Sequence, residues 1–339
     1  MTTGRFNAAL AGTAAALLLI TGCSNGAATD SSAASDPDGY EPVTVNSCGH
    51  EETFDEPPER VVVNATSLVE ELAALGVSDR VVGYAPVSAY SPLDEYSDAV
   101  ADAPKLGDGP LSREVVTAQN PDLFYSQLNY EDNMIEQYSP LDIPVLFPRK
   151  ACDDDVTTNE DGERDYVAST YDDLTDLGRI FDVPDRAEDL VDSLKDDMAE
   201  AREAAAEDTS LTVANVGFYS GVNKPFSVAD DGIMDQLIDV AGGTNVYGDL
   251  PGDGNSEMGP ESLIERNPDV IIIRDLPSNG GGYEEVKNFF RNDPRFQDIP
   301  AVEHDRFTYM KVEEWYAGIQ FPNAAKRFAE VLRDASTEQ

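Results

Sequence analysis

The sequence is poor in the residues that metal and nucleophile chemistry draws on. It holds three Cys, two His and one Trp in 339 residues. A bare transition-metal site needs several His, Cys or carboxylates converging. His50 and His304 have no second His or Cys at ligand spacing, and carboxylates are too abundant for their spacing to mean anything. Gly-x-Ser-x-Gly, a P-loop Lys and His-Glu-x-x-His are all missing. Gly280-Gly281-Gly282 does not open a phosphate-binding helix with a P-loop Lys and reads as a flexible loop. A hydrolase working through paired carboxylates and a purely adhesive surface protein stay open as alternatives, with no motif to support either.

Positive charge is also scarce. There are 23 Lys and Arg against 66 Asp and Glu, a net charge of −43, and the pI is about 4.1. Nucleic-acid binding, which needs basic patches to displace counterions, is excluded. So is electrostatic docking on anionic lipid. Most of the charge reads as solvated surface, suited to a soluble protein outside the cell. The apolar share of 41% is enough for real cores and excludes wholesale disorder.

Long hydrophobic runs are lacking too. Ala8 to Ile20 is too short for a comfortable membrane span and follows a short segment with Arg5 as its only charge. It ends in Leu19-Ile20-Thr21-Gly22-Cys23, which resembles a bacterial lipobox. Residues 1–22 are therefore expected to be a lipoprotein signal peptide and Cys23 the lipidated residue. Residues 23–41, rich in Ser, Ala, Gly, Asp and Pro, read as a flexible tether. The expected location is the extracytoplasmic face of the cell membrane, held by the lipid alone. Two thiols remain, Cys48 and Cys152, and in an oxidising compartment they are expected to pair.

The body alternates short β-branched runs with helical stripes. Arg60–Val63, Arg80–Tyr84, Asp122–Tyr125 and Pro144–Phe147 are predicted strands of a first lobe. Leu68, Val69, Leu72 and Leu75 make a helical stripe that Gly76 stops. Residues 166–208 turn helical, with Pro184 between two stripes. Strand patterns resume at Leu211–Val216, Val270–Ile273 and Phe307–Met310. The prediction is an α/β fold of two Rossmann-like lobes, 42–165 and 209–339, with mainly parallel sheets. One long bridging helix within 166–208 is expected to join them.

An internal repeat supports two lobes. Glu114 precedes Asn120-Pro121-Asp122-Leu123 by the same five-residue spacing that separates Glu261 from Asn267-Pro268-Asp269-Val270. Leu68 to Gly83 is echoed by Ile233 to Gly248.

Arg60-Val61-Val62-Val63, Leu75-Gly76-Val77, Asp79-Arg80-Val81-Val82-Gly83, the two Glu…Asn-Pro-Asp elements and Ala241-Gly242-Gly243-Thr244-Asn245 resemble the solute-binding proteins of bacterial ABC importers for iron-siderophores, haem and cobalamin. The resemblance spans nearly all of the chain from about residue 42. It implies a binding protein rather than an enzyme, and ligand capture between two helix-bridged lobes. It also implies docking on a dimeric permease through one Glu per lobe, which map to Glu114 and Glu261. Either residue reads equally as a carboxylate stabilised by its helix N-terminus.

Ligands of α/β lobes sit beyond the carboxyl ends of the strands. That rule selects Ser67, Tyr84, Tyr90, Tyr125, Tyr130 and Arg149 in the first lobe, and Tyr219, Arg274 and Trp315 in the second. Arg149 and Arg274, one per lobe, would either meet an anionic ligand or pair with local carboxylates. Each Tyr would either line the cleft or pack. The ligand expected is a ferric siderophore, whose iron is saturated by its chelator. No cofactor and no protein metal ligand is then needed, since Fe3+ arrives only within the chelate. Haem, with a Tyr or His axial ligand, and cobalamin are the alternatives. A monomer is expected.

Overall fold

The computed structural model describes residues 39–86, 90–127, 133–152, 154–205, 210–218, 222, 226–229, 232–250, 255–276, 281–315 and 318–337. Cys23 and the signal and tether segments lie outside the described residues, as do Tyr130 and Tyr219 and the side chain of Trp315. Residues Tyr40–Gln339 form one compact unit. Among the described residues no helix is long and apolar enough to cross a membrane.

The unit opens with a hairpin that the sequence reading missed. Strands β1 (Val43–Ser47) and β2 (His50–Phe54) pair antiparallel. Val43 and Val45 face inward and their neighbours outward, the alternation of a half-buried strand. Cys48 and Gly49 both take positive φ, 50° and 78°, as a two-residue hairpin turn requires. Cys48 is disulfide-bonded to Cys152, with Cα atoms 5.1 Å apart. Ser47 Oγ donates to the Val145 carbonyl at 2.9 Å and accepts from the Phe147 N–H at 3.1 Å, fastening the hairpin to the first lobe.

The first lobe holds a four-stranded sheet of β3 (Val61–Asn64), β4 (Val81–Tyr84), β5 (Leu123–Ser126) and β6 (Val145–Leu146), in the order β4-β3-β5-β6. Every pairing is parallel, as predicted. Four helices lie between the strands: α1 (Thr66–Ala74), α2 (Ser97–Asp102), α3 (Arg113–Thr117) and α4 (Met134–Tyr138).

Where one bridging helix was expected there are two, α5 (Tyr166–Ile180) and α6 (Pro184–Ala204). Phe181–Val183 joins them, and Asp182 turns the chain in the left-handed region at φ 58°. Pro184 is the first residue of α6, where its missing N–H costs nothing. The two helices pack on each other as a hairpin, and each spans both lobes. Leu177 and Ile180 of α5, with Ala187 of α6, belong to the first-lobe core. Met198 and Ala201 of α6, with Tyr166 and Tyr171 of α5, belong to or pack on the second-lobe core. Leu174, Val191 and Leu194 cluster with Ile319 between them.

The second lobe has β7 (Thr212–Gly217), β8 (Phe226–Ala229), β9 (Thr244–Asn245), β10 (Asn255–Met258), β11 (Val270–Arg274) and β12 (Phe307–Met310). The order is β10-β8-β7-β11-β12, with β9 also on β7. β7, β9, β11 and β12 are parallel, whereas β8 and β10 are an antiparallel addition absent from the sequence reading. Its helices are α7 (Gly232–Val240), α8 (Pro260–Arg266), α9 (Tyr283–Asn292), α10 (Pro300–Glu303), α11 (Val312–Trp315) and α12 (Phe321–Thr337). Phe290 packs edge-on to Phe218, Phe289 and Phe296 beneath the sheet. Burying each such ring contributes about 1.5–3 kcal/mol.

The internal repeat is structural. Asn120 and Asn267 take the same left-handed φ, 47° and 49°. Asp122 accepts from the Glu59 and Arg60 N–H groups ahead of β3, and Asp269 accepts from the Thr212 N–H at the start of β7. Each carboxylate thus staples its strand to the first strand of its lobe. The upstream echo holds as well. Gly76 and Gly242, at φ 72° and 83°, close their helices with the same pair of hydrogen bonds.

Candidate functional site

The parallel strands of each lobe end together, so the residues at or just past their ends share one edge. In the first lobe these are Asn64, Tyr84, Gln127 and Arg149. In the second they are Phe218, Arg274 and Lys311. Two hydrogen bonds show that the edges face each other. Gln320 Nε2 donates to Glu70 Oε1 at 3.0 Å. The Ser91 N–H donates to Glu313 Oε1 at 2.7 Å. Glu70 and Ser91 follow strands of the first lobe, and Glu313 and Gln320 follow the last strand of the second.

Glu70 is the hub of this junction. It is buried and accepts from the Tyr90 hydroxyl, the Leu93 N–H and Gln320. Burial, with Glu313 nearby, raises its pKa despite those donors. Its neighbour Glu71 is also buried and accepts from Tyr125 Oη at 2.9 Å. Burial pushes the Glu71 carboxyl up to about 8. Sequence reasoning gave neither Glu a role. Leu68, Val69, Leu72 and Leu75 form one apolar stripe of α1, and Glu70 and Glu71 lie beside it, where the sequence pattern alone reads as solvent-facing.

Of the sequence-selected residues, Tyr90 reaches the junction through Glu70. Tyr84 is half-buried and packs on the first-lobe core. Tyr125 is 1% exposed, its ring in that core and its hydroxyl on Glu71. For Tyr125, packing is the reading the structure supports, because both ends of the ring are already occupied. Ser67 is buried in the first turn of α1, and its Oγ has no hydrogen-bond partner among the described residues. The same holds for Asn64 Oδ1 and Gln127 Nε2 at the same edge. Three buried, unpartnered polar atoms at one edge are costly unless something else meets them.

The two arginines differ. Arg149 Nη1 donates to Asp173 Oδ1 at 2.7 Å, and Nη2 to Asp176 Oδ2 at 2.6 Å. The local-pairing reading therefore holds for Arg149, and both acids come from the bridging helix α5. Burial raises the Asp173 carboxyl to about 7, with Arg149 opposing the rise. Arg274 is 1% exposed and lies against β7, where a Cβ on Gly217 would come within 2.6 Å of its Nε. Glycine there leaves room for the guanidinium. Beside it, Asp275, Tyr283, Glu284, Tyr309 and Lys311 line an open depression of about 440 Å³.

Glu114 and Glu261 are both exposed, each in the first turn of its helix. Hydrogen bonds from its own N–H and from Ser112 hold Glu114 below the usual carboxylate range. No group of three or more His, Cys, Asp or Glu among the described residues is arranged to hold a metal.

Residues 61–313 match the periplasmic binding protein family. The chain is 26% identical over 275 residues to YvrC of Bacillus subtilis (strain 168), described as an uncharacterized ABC transporter substrate-binding lipoprotein, covering 78% of this chain and 81% of that one. A solved structure from Saccharomonospora viridis DSM 43017, described as an ABC-type Fe3+-hydroxamate transport system, superposes with TM-score 0.70 at 26% identity, over 86% of this chain and 98% of that one. The periplasmic haem-binding protein RhuT from Roseiflexus sp. RS-1 shares the fold, with TM-score 0.63 at 21% identity, over 82% and 99% of the two chains.

Proposed function

This chain belongs to the periplasmic binding protein family, and from that premise we propose that it captures a ferric siderophore and delivers it to the permease of an ABC importer. It is a solute-binding protein, not an enzyme. The observation that carries the ligand reading is the pair of facing strand edges, with unpartnered Ser67 Oγ and Gln127 Nε2 on one side and buried Arg274 on the other. A chelate supplies its own metal ligands and offers oxygens at its rim. It therefore asks the protein for hydrogen-bonding groups and aromatic walls and for no metal ligand. Support also comes from the Fe3+-hydroxamate system of S. viridis, which is similar over most of both chains.

Glu114 and Glu261 are the proposed contacts with the permease. They occupy equivalent places in two repeated lobes, and such a pair can engage a two-fold partner. The lipobox at Cys23 supplies the proposed anchor, placing the mature protein outside the membrane. Haem or cobalamin binding is the alternative, and its haem form draws on the fold shared with haem-binding proteins such as RhuT.

The test is a titration of the intrinsic fluorescence of the full chain, which has a single Trp, Trp315. Saturable quenching by a ferric siderophore, and not by its iron-free form, is the expected result. Saturation by haem or cobalamin alone would transfer the function to the alternative.

A further inference from the structure

The first turn of α1 is buried and uncapped. Ala65 stands at the N-cap, and no side chain there bonds back to the helix. The leading N–H groups of α1 therefore have no partner within the helix. No backbone carbonyl among the described residues takes the N–H groups of Thr66, Ser67 or Leu68, and all three residues are buried.

Two side chains converge on this turn. The bond from Tyr125 Oη to Glu71 Oε2, at 2.9 Å, pins α1 to β5. From that bond Ser67 lies one helical turn back, about 6 Å along the axis. Gln127 lies two residues on along the strand, about 6.6 Å. α1 crosses between the parallel strands β3 and β4 and so runs against them, and both steps lead toward the strand carboxyl ends. Ser67 shares a helix face with Glu71, and Gln127 shares a strand face with Tyr125. Ser67 Oγ and Gln127 Nε2 thus come level, one step beyond the Glu71–Tyr125 bond. Both residues are 1% exposed, and neither atom has a hydrogen-bond partner among the described residues. Asn64 does not join them, since it lines a separate small cavity with Met134 and Tyr138.

We propose that the buried N-terminus of α1, with Ser67 Oγ and Gln127 Nε2, binds a halide ion such as chloride. Every group gathered here is a donor: helix N–H, hydroxyl and amide NH2. A water molecule accepts two hydrogen bonds and must place two of its own, whereas a compact anion accepts from all of them. It also sits at the positive end of the helix. Atoms this enclosed suit a monatomic ion better than a bulky oxyanion. A chelate on the strand edge above would meet Ser67 and Gln127 through the ion, and the site does not depend on which ligand the cleft takes.

Halide and proton are linked through Glu71. Burial pushes its carboxyl up to about 8. Below that value Glu71 carries no charge to oppose the ion and has an O–H to donate. The groups facing it are Tyr125 from β5, Asp173 from α5, Lys150 beyond β6 and Glu70 beside it on α1. Asp173 is itself paired with Arg149. Loss of the Glu71 proton leaves two like charges side by side and weakens halide binding.

The experiment follows unfolding of the full chain in sodium chloride and in sodium gluconate at equal ionic strength. Gluconate is too large for the site and controls for screening. Above the halide Kd, each tenfold rise in chloride should raise the ratio of folded to unfolded chain about tenfold over gluconate. The gain should shrink as pH passes about 8 and vanish in Ser67→Ala. If that variant folds poorly, a bromide-soaked crystal of the parent chain decides, with an anomalous peak expected between Ser67 and Gln127. Equal stability in the two salts would overturn the site. So would a chloride gain that persists undiminished in Ser67→Ala, or an ordered water at Ser67 with no bromide peak.

Discussion

Glu70 Oε1 and Gln320 Nε2 meet at 3.0 Å, joining the first helix of one lobe to the residue just ahead of the last helix of the other. Gln320 also donates to the Ser91 carbonyl at 3.1 Å, so one amide ties two segments of the first lobe to the second. The helix hairpin α5–α6 already couples the lobes through three apolar clusters. This bond adds a polar latch at the cleft floor.

Gln320→Leu keeps the size of the side chain and removes the donor. Glu70 would then be buried with one partner fewer. A loss of about 1–3 kcal/mol is expected, the cost of an under-satisfied buried group, read from urea unfolding. Faster amide exchange around Ser91 and Leu93 should accompany it. Unchanged stability and exchange would show that the latch carries no load.

Stability should fall with rising pH through the neutral range. Burial raises Glu71 from 4.5 to about 8 and Asp173 from 3.8 to about 7. Between those values the folded chain keeps protons that the unfolded chain has released. Unfolding free energy then declines as pH rises, by up to about 1.4 kcal/mol per pH unit for each proton. Below about 4 and above about 8 these groups add no slope. Glu71→Gln keeps an acceptor for the Tyr125 hydroxyl and should flatten the decline. Denaturant titrations across the window check this, and an unchanged slope in Glu71→Gln would contradict it.

The Cys48–Cys152 bridge closes a separation of 104 residues. Constraining so long a loop in the unfolded chain is worth about 2–5 kcal/mol. Cys48→Ser with Cys152→Ser should therefore lower Tm by several degrees. Reductant should do the same to the parent chain and nothing further to the variant. Equal melting with and without reductant would show that the bridge does not form.

Glu114→Lys with Glu261→Lys should abolish uptake of the chelate by cells while leaving its Kd unchanged. Both carboxylates are exposed and neither is among the buried groups of the Glu70–Gln320 junction, so ligand affinity should be insensitive to their charge. Uptake at the parent rate would remove the docking assignment.

The parallel strands were legible because Val61–Val63, Leu123–Tyr125 and Val270–Ile273 are unbroken apolar runs bounded by turn residues. The repeat was legible because Asn-Pro-Asp encodes a left-handed turn and a staple in three residues. The Cys48–Cys152 pairing could be read once the lipobox had set Cys23 aside and the compartment was taken as oxidising. The β8–β10 addition was not legible: its strands are short and lie among Gly, Asp and Asn. Nor was the α5–α6 hairpin, since Pro184 suits a helix start as well as a kink. The acidic junction was hidden by abundance. With 66 carboxylates in the chain, nothing in composition singles out Glu70, Glu71 or Glu313; only burial does.

The most direct test is a crystal structure of the chain with the ferric siderophore that quenches its fluorescence, locating iron by its anomalous signal. The account places the peak between the two strand edges, with Ser67 and Gln127 on one side and Arg274 and Lys311 on the other. A peak on the outer surface, or at His50 or His304, would contradict it.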